Sequence, residues 1–104
     1  MHDTMGDIAR IKGSVNLLRD TVLSNDDRIK LLNAIVKSSN HITEVVNQDF
    51  INEQTIKIND SVYSLLQYDL SKNEYRTTLL IDIIEASNNN IRKVLDQYYI
   101  ERKK

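Results

Sequence analysis

The residue pair best suited to chemistry in this sequence is His2 followed by Asp3. An imidazole can accept a phosphoryl group when a neighbouring carboxylate assists the proton transfer and a helix presents the ring in line with the donor. The alternative is that His2 is a solvated side chain at a frayed helix end. The sequence therefore offers His2 and Asp3 as a candidate catalytic pair, with an ordinary helix terminus as the competing interpretation.

Other chemistry has little support in the sequence. There is no Cys, and the only other histidine, His41, lies off the main apolar pattern and is predicted to be a solvated helix residue. His2 and His41 do not have the spacing of metal ligands, so we expect no metal site and no cofactor. The remaining carboxylates are scattered, and Ser24 and Ser71 are interpreted as helix caps rather than nucleophiles.

The length and net charge of the chain exclude several classes of protein. A chain of 104 residues is one domain, too short to hold an ATP-binding domain beside a helical one, so we expect at most a histidine phosphotransferase. The net charge of -1 indicates no nucleic-acid partner. No apolar run approaches the roughly 18 residues of a membrane span, and no signal peptide is recognised, so we expect a cytoplasmic protein without a membrane partner.

Long helices are the predicted elements. There is no Pro, and the two Gly are both within the first 13 residues, which disfavours sheet hairpins. Apolar residues recur at spacings of three and four, which predicts an all-α fold with helices over 3–22, 25–51, 55–69 and 72–102. The four stripes are Ile8, Ile11, Val15, Leu18 and Val22; Leu32, Ile35, Ile42, Val45, Val46 and Phe50; Ile58, Val62, Leu65 and Leu66; and Leu79, Leu80, Ile83, Ile84, Ile91, Val94, Leu95 and Tyr98.

Local signals mark some of the helix ends and leave one open. Ser24 is the predicted cap of the second helix, and Ser71 with Glu74 has the spacing of a capping box for the fourth. The junction at 49–55 has no breaker, so the second and third helices are either joined by a short turn or continuous. Tyr98 and Tyr99 are expected to plug one end of the fold, with an interface anchor as the alternative.

The two halves of the sequence resemble each other. Residues 11–18 parallel 58–66, 23–27 parallel 70–74, and 35–51 parallel 84–100. We interpret this as a duplicated helical hairpin, with repeats at about 2–53 and 54–104, whose two antiparallel hairpins close a four-helix bundle. The alternative is that amphipathic helices share apolar spacing by chance.

The first half also resembles a known family. His2-Asp3, Ile8, Ile11-Lys12-Gly13 and Leu17-Leu18 are similar to the phosphoacceptor box of the histidine-kinase dimerisation and histidine-phosphotransfer hairpin, with Asp7 where Pro is usual. The turn TVLSNDD is similar too. The matching positions of the second helix are Leu32, Ile35, Ser38, Ile42, Val45-Val46-Asn47 and Phe50.

The resemblance implies a four-helix bundle in which His2 is phosphorylated, Asp3 is its acid–base partner and a receiver domain or a kinase is the partner protein. A catalytically inactive regulator of two-component signalling would share this fold. The alternative function is a non-enzymatic assembly protein, of viral or phage type, that self-associates through its apolar stripes.

Overall fold

The computed structural model describes residues 4–67 and 73–102, and these residues form four α-helices. They are α1 (Thr4–Asp20), α2 (Asn25–Val45), α3 (Asp49–Gln67) and α4 (Glu74–Arg102). The described part of the chain contains no strand, which confirms the predicted all-α class. None of these four helices is long and apolar enough to cross a membrane.

The first turn depends on a serine cap. Ser24 has an extended backbone, and its side chain accepts a hydrogen bond from the Asp27 backbone N–H at 3.1 Å, as predicted. The chain must leave helical geometry before this cap, so α1 ends at Asp20. The prediction that the first helix continues to residue 22 is wrong, and Val22 is fully exposed in the turn rather than part of the apolar stripe.

A short turn separates α2 from α3, which settles the junction that the sequence left open. Val46 adopts an extended conformation, and its N–H bonds to the Ile42 carbonyl at 2.8 Å. The Gln48 side-chain carbonyl then accepts a hydrogen bond from the Ile51 backbone N–H at 2.7 Å and caps the start of α3. Two amide-bearing residues, Asn47 and Gln48, therefore occupy a break that Gly or Pro often marks in other proteins.

The predicted bounds on either side of this turn are wrong. The second helix was expected to reach residue 51 and the third to begin at 55, but α2 ends at Val45 and α3 begins at Asp49. Phe50 consequently belongs to α3, and its side chain is exposed. The apolar pattern concealed the break because Val46, inside the turn, is itself buried.

The start of α4 has a different cap from the predicted one. Ser71, the first member of the predicted capping box, lies outside the described residues. Asn73 Oδ1 accepts a hydrogen bond from the Arg76 backbone N–H at 3.0 Å, so Asn73 caps α4.

One apolar core joins the four helices. Its buried members come from every helix. In the fourth predicted stripe, Leu79 is half exposed and Ile83 is only partly buried, so neither belongs to the core, whereas Ile81, which was not predicted, does. The core consists of Ile8, Ile11, Val15, Leu32, Ile35, Ile42, Val46, Ile51, Ile58, Val62, Leu65, Ile81, Ile84, Ile91 and Leu95.

Each helix packs against two others: α1 against α2 and α4, and α3 against α2 and α4. The Arg28 guanidinium, at the start of α2, donates to the Leu65 carbonyl near the end of α3 at 3.1 Å. Tyr98 and Tyr99 pack against the core with their ring centroids 5.5 Å apart, and the Tyr99 hydroxyl bonds to that of Thr4. The two tyrosines thus close one end of the core, as predicted.

Buried positions recur between the two halves at constant offsets. We call α1 with α2 the first half and α3 with α4 the second half. Every buried residue of α1 has a buried counterpart in α3 at an offset of 47 residues, and every buried residue of α2 has one in α4 at an offset of 49. The α1 and α3 pairs are Thr4–Ile51, Asp7–Gln54, Ile8–Thr55, Ile11–Ile58, Ser14–Ser61 and Val15–Val62. The α2 and α4 pairs are Leu32–Ile81, Ile35–Ile84, Ser38–Ser87, Ser39–Asn88 and Ile42–Ile91.

Candidate functional site

The histidine that the structure places in a defined environment is His41, on α2. His2 and Asp3, the candidate pair from the sequence, lie outside the described residues. His41 was predicted to be a solvated helix residue, but its Nδ1 lies 2.5 Å from the carboxylate oxygen Oδ2 of Asp7 on α1. The structure therefore brings together an imidazole and a carboxylate that are 34 positions apart in the sequence.

Asp7 is a buried carboxylate. Its side chain is 2% exposed, because its position on α1 faces α2 at the edge of the apolar core, one residue before Ile8. Removing a carboxylate from water is costly unless hydrogen bonds and opposite charge compensate for the lost hydration. Here Arg10, one turn further along α1, bonds to Asp7 Oδ1, and His41 bonds to Oδ2, so both oxygens are satisfied.

The Asp7 carboxylate fixes the orientation of the imidazole. An ionised carboxylate only accepts hydrogen bonds, so Nδ1 of His41 donates and carries the proton. In the neutral ring the lone pair then resides on Nε2. The His41 side chain is 39% exposed, so the ring is accessible from solvent while its tautomer is set from inside the protein.

The pair lies in an open groove between α1 and α2. Asp7 and Ser38, both buried, contribute to its lining, and the longer side chains Arg10, Lys37 and Glu44 also line it. The remaining lining residues are Ala34, Asn40 and His41. Within the described parts of the chain, no group of three or more His, Cys, Asp and Glu side chains could hold a metal ion.

The second half has an uncharged pair at the equivalent place. Gln54 corresponds to Asp7 at the offset of 47, and Asn90 corresponds to His41 at the offset of 49. Asn90 Nδ2 donates to Gln54 Oε1 at 3.2 Å, and Gln54 is 3% exposed. The same helix-to-helix contact is therefore made twice, once with ionisable groups and once with amides.

A second ionic contact joins the two halves on the surface. The Arg19 guanidinium on α1 donates to Glu85 at 2.9 Å and to Asp82 at 2.8 Å, both on α4. The hydrogen bond to Glu85 raises the pKa of Arg19 above its ordinary value, with smaller contributions from the charges of both acids. All three side chains are substantially exposed, so this bridge is structural and is exposed to screening by salt.

The Asp7–His41 pair was not predicted from the sequence. Asp7 was noted only as the residue that stands where the kinase hairpin has Pro, although it falls at a core position of α1. A signal was present: when the offset of 47 between residues 11 and 58 is extended towards the start of each half, Asp7 pairs with Gln54, so both halves have a polar residue at this place. A polar residue repeated at a core position indicates a partner on a neighbouring helix.

Comparisons of the chain with models of protein families, with curated proteins and with solved structures found no match. Function therefore has to follow from the geometry of the chain itself.

Proposed function

We propose that the protein is a signalling module that docks a partner protein and relays a phosphoryl group through a histidine, as histidine-kinase dimerisation and phosphotransfer hairpins do. The observation that carries this proposal is the accessible imidazole of His41, oriented by the buried carboxylate of Asp7. The partner would be a receiver domain or a kinase, and the relay would take place in the cytoplasm. The chain would not phosphorylate itself from ATP.

The proposed architecture is a four-helix bundle of two antiparallel hairpins. Three contacts support this arrangement, since each joins the beginning of one helix to the later part of another: Thr4 with Tyr99, Asp7 with His41, and Arg28 with Leu65. Together with the constant burial offsets, they support the proposal that the chain is a single-polypeptide counterpart of a dimeric kinase core. Such a bundle offers a rigid helical face to a partner.

In the proposed relay step, the nucleophile is the ring nitrogen of His41 that is not bonded to Asp7. Nε2 of His41 attacks the phosphorus of an aspartyl phosphate on the receiver, and a P–N bond forms as the P–O bond breaks. The electron pair of the broken bond leaves with the receiver's carboxylate. The proton on Nδ1 stays in the hydrogen bond to Asp7, whose negative charge compensates the positive charge that develops on the ring.

The two histidines of the chain make the test simple. Receiver domains phosphorylated with radiolabelled acetyl phosphate are incubated with the wild-type protein, with His2→Ala and with His41→Gln. We expect label on the wild type and on His2→Ala, and none on His41→Gln. Label that disappears only in His2→Ala assigns the relay to His2 with Asp3 instead. Absence of label in every protein, or label that survives both substitutions together, contradicts the relay.

Self-association is the second candidate function, and one observation favours it. Ile56 and Tyr63 are seven residues apart on α3, and their side chains are 59% and 53% exposed. An assembly protein would use such an apolar surface to bind further copies of itself. Light scattering over a range of concentrations distinguishes the two candidates: the relay module stays monomeric, whereas an assembly protein forms oligomers that Ile56→Lys with Tyr63→Lys disperses.

A further inference from the structure

We infer that the fold builds the histidine face twice and that the second copy, formed by Gln54 and Asn90, is chemically silent. The inference rests on the proposed function and adds the number of reactive sites: each chain has one, on the side of α1 and α2. A symmetric dimer of hairpins would offer two such faces.

The geometry of the two pairs supports the equivalence. Asp7 and Gln54 are both buried acceptors on the first helix of their half, and His41 and Asn90 are both half-buried donors on the second. Their neighbours correspond as well: Ser38 and Ser87 are buried at equivalent places beside the two pairs. An aspartate and a histidine placed in the second half would therefore meet in the same way.

The chemistry of the two pairs differs completely. The nitrogen of Asn90 is an amide whose lone pair is delocalised, so it neither attacks phosphorus nor takes up a proton near neutral pH. Gln54 has no charge with which to stabilise a cation. The Gln54–Asn90 pair thus keeps the hydrogen bond between α3 and α4 and gives up the reactivity.

The charged residues around the two pairs also differ, which supports a partner that binds the first half and not the second. Lys37 and Glu44, which line the first groove, correspond to Ala86 and Lys93 in the second half. A partner whose charges complement Lys37 and Glu44 would find neither charge on the second half, where Ala86 and Lys93 stand at the equivalent positions. The reactive group and the acid beside it are therefore present in the first half alone, whereas the positive charge of Arg10 recurs as Lys57.

Transplanting the pair tests the inference. In a His2→Ala background, His41 is the only histidine, and the double substitution Gln54→Asp with Asn90→His adds the second copy. The probe is phosphoramidate, which transfers its phosphoryl group to an imidazole: its own P–N bond breaks, a P–N bond to the ring forms, and ammonia leaves with a proton. Intact mass and peptide mapping count the phosphoryl groups and locate them.

We expect one phosphoryl group on the His2→Ala protein and two on the transplanted protein, with the two sites labelled at rates within about twofold of each other. The matched control is Asn90→His with Gln54 retained, whose imidazole lacks a carboxylate; it should be labelled about tenfold more slowly. Asp7→Asn should slow the labelling of His41 to the same degree. The Nδ1 proton resonance of His41 should have a counterpart in the transplanted protein.

A folded transplanted protein whose new imidazole is labelled as slowly as the control, or lacks the Nδ1 resonance, overturns the inference. If the transplanted protein does not fold, the reverse exchange, Asp7→Gln with His41→Asn, tests the inference instead. If the two places are equivalent, this variant should unfold as cooperatively as the wild type. Failure of the proposed function gives a different result: His41 itself is then labelled no faster than in Asp7→Asn.

Discussion

The two halves of this protein bury the same positions and place different chemistry on them. In the first half, the buried Asp7 carboxylate joins α1 to α2 through the His41 imidazole and also bonds to Arg10 on α1 itself, and in the second half an amide pair joins α3 to α4 at the equivalent place. Some neighbouring apolar residues are the same in both halves, such as Ile11 with Ile58 and Ile42 with Ile91, whereas Ile8 corresponds to Thr55. The comparison teaches that the helical packing specifies a polar contact at this place but does not specify whether that contact is charged.

A second contrast lies between the two seams where the halves meet. The seam of α1 with α4 has the ionic bridge of Arg19 with Asp82 and Glu85. At the equivalent places on the seam of α2 with α3, Leu66 replaces Arg19 and Val36 replaces Glu85, and both pack against the core. At these equivalent places, one seam therefore has an exposed ionic contact and the other has partly buried apolar side chains.

The substitutions with the largest expected loss of stability test whether the two halves share one apolar core. Ile35 and Ile84 are fully buried equivalents, so Ile35→Asp and Ile84→Asp each place a lone carboxylate in apolar surroundings. The cost is several kcal/mol, comparable with the total stability of about 5–15 kcal/mol for a domain of this size. We expect both variants to lose cooperative thermal unfolding when it is followed by circular dichroism.

The matched control for these variants is Asn33→Asp. Asn33 is exposed on α2, and its equivalent in α4 is already an aspartate, Asp82. This carboxylate should leave the melting temperature nearly unchanged. Unfolding of one isoleucine variant but not of the other would mean that the halves do not share a core.

Much of this architecture follows from the sequence, because apolar spacing is enough to specify which helix faces are buried. Most isoleucines of the core, the cap at Ser24 and the tyrosine plug are apparent from the pattern. The buried Ile51 and Ile81 were not in the predicted stripes, and the predicted Ile83 is not in the core. The helix ends near 46–48 are not apparent from the pattern, because Val46 continues the apolar stripe through the turn and the side chain of Gln48, rather than a Gly or Pro, caps α3.

The candidate site was less predictable than the fold. Asp7 and His41 each look ordinary along the chain, and only the packing of α1 against α2 places them 2.5 Å apart. An amphipathic pattern gives the face of a helix but not the register between two helices. His2 and Asp3, which the sequence singled out, stay a prediction.

Substitutions in the two polar pairs are expected to cause an intermediate loss of stability. Asp7→Asn removes the negative charge of the carboxylate to which Arg10 and His41 both bond. We expect a loss of about 1–3 kcal/mol in the free energy of unfolding, measured with urea. Both partners reach solvent, which keeps the loss below that of a fully buried ion pair. Gln54→Ala should cost about 1–2 kcal/mol by leaving the Asn90 amide without its acceptor.

A double-mutant cycle makes the comparison quantitative. If Asp7 and His41 act as a unit, Asp7→Gln and His41→Asn together should cost less than the sum of the two single substitutions, because the pair becomes the amide pair of the second half. Additive losses would show that the two side chains are not coupled.

The smallest effect belongs to the ionic seam. Arg19→Ala should cost about 0.2–1 kcal/mol at low salt and nothing measurable at about 1 M salt, since exposed ion pairs are weak and screened. Leu66→Ala on the other seam should cost about 1–3 kcal/mol at either salt concentration, because apolar burial does not depend on charge. Urea unfolding at two salt concentrations measures both.

The pH dependence of the arginine follows from the direction of its pKa. The folded-state pKa of Arg19 is raised by Glu85, so the guanidinium contributes stability below its unfolded pKa and loses it only as the pH rises through the still higher folded value. Arg19 therefore stays charged through neutral pH, and titration of this guanidinium cannot account for a change in stability there. A loss on Arg19→Ala that persists at high salt would mean that the aliphatic part of the side chain, rather than its charge, holds α1 against α4, and the two seams would then be alike.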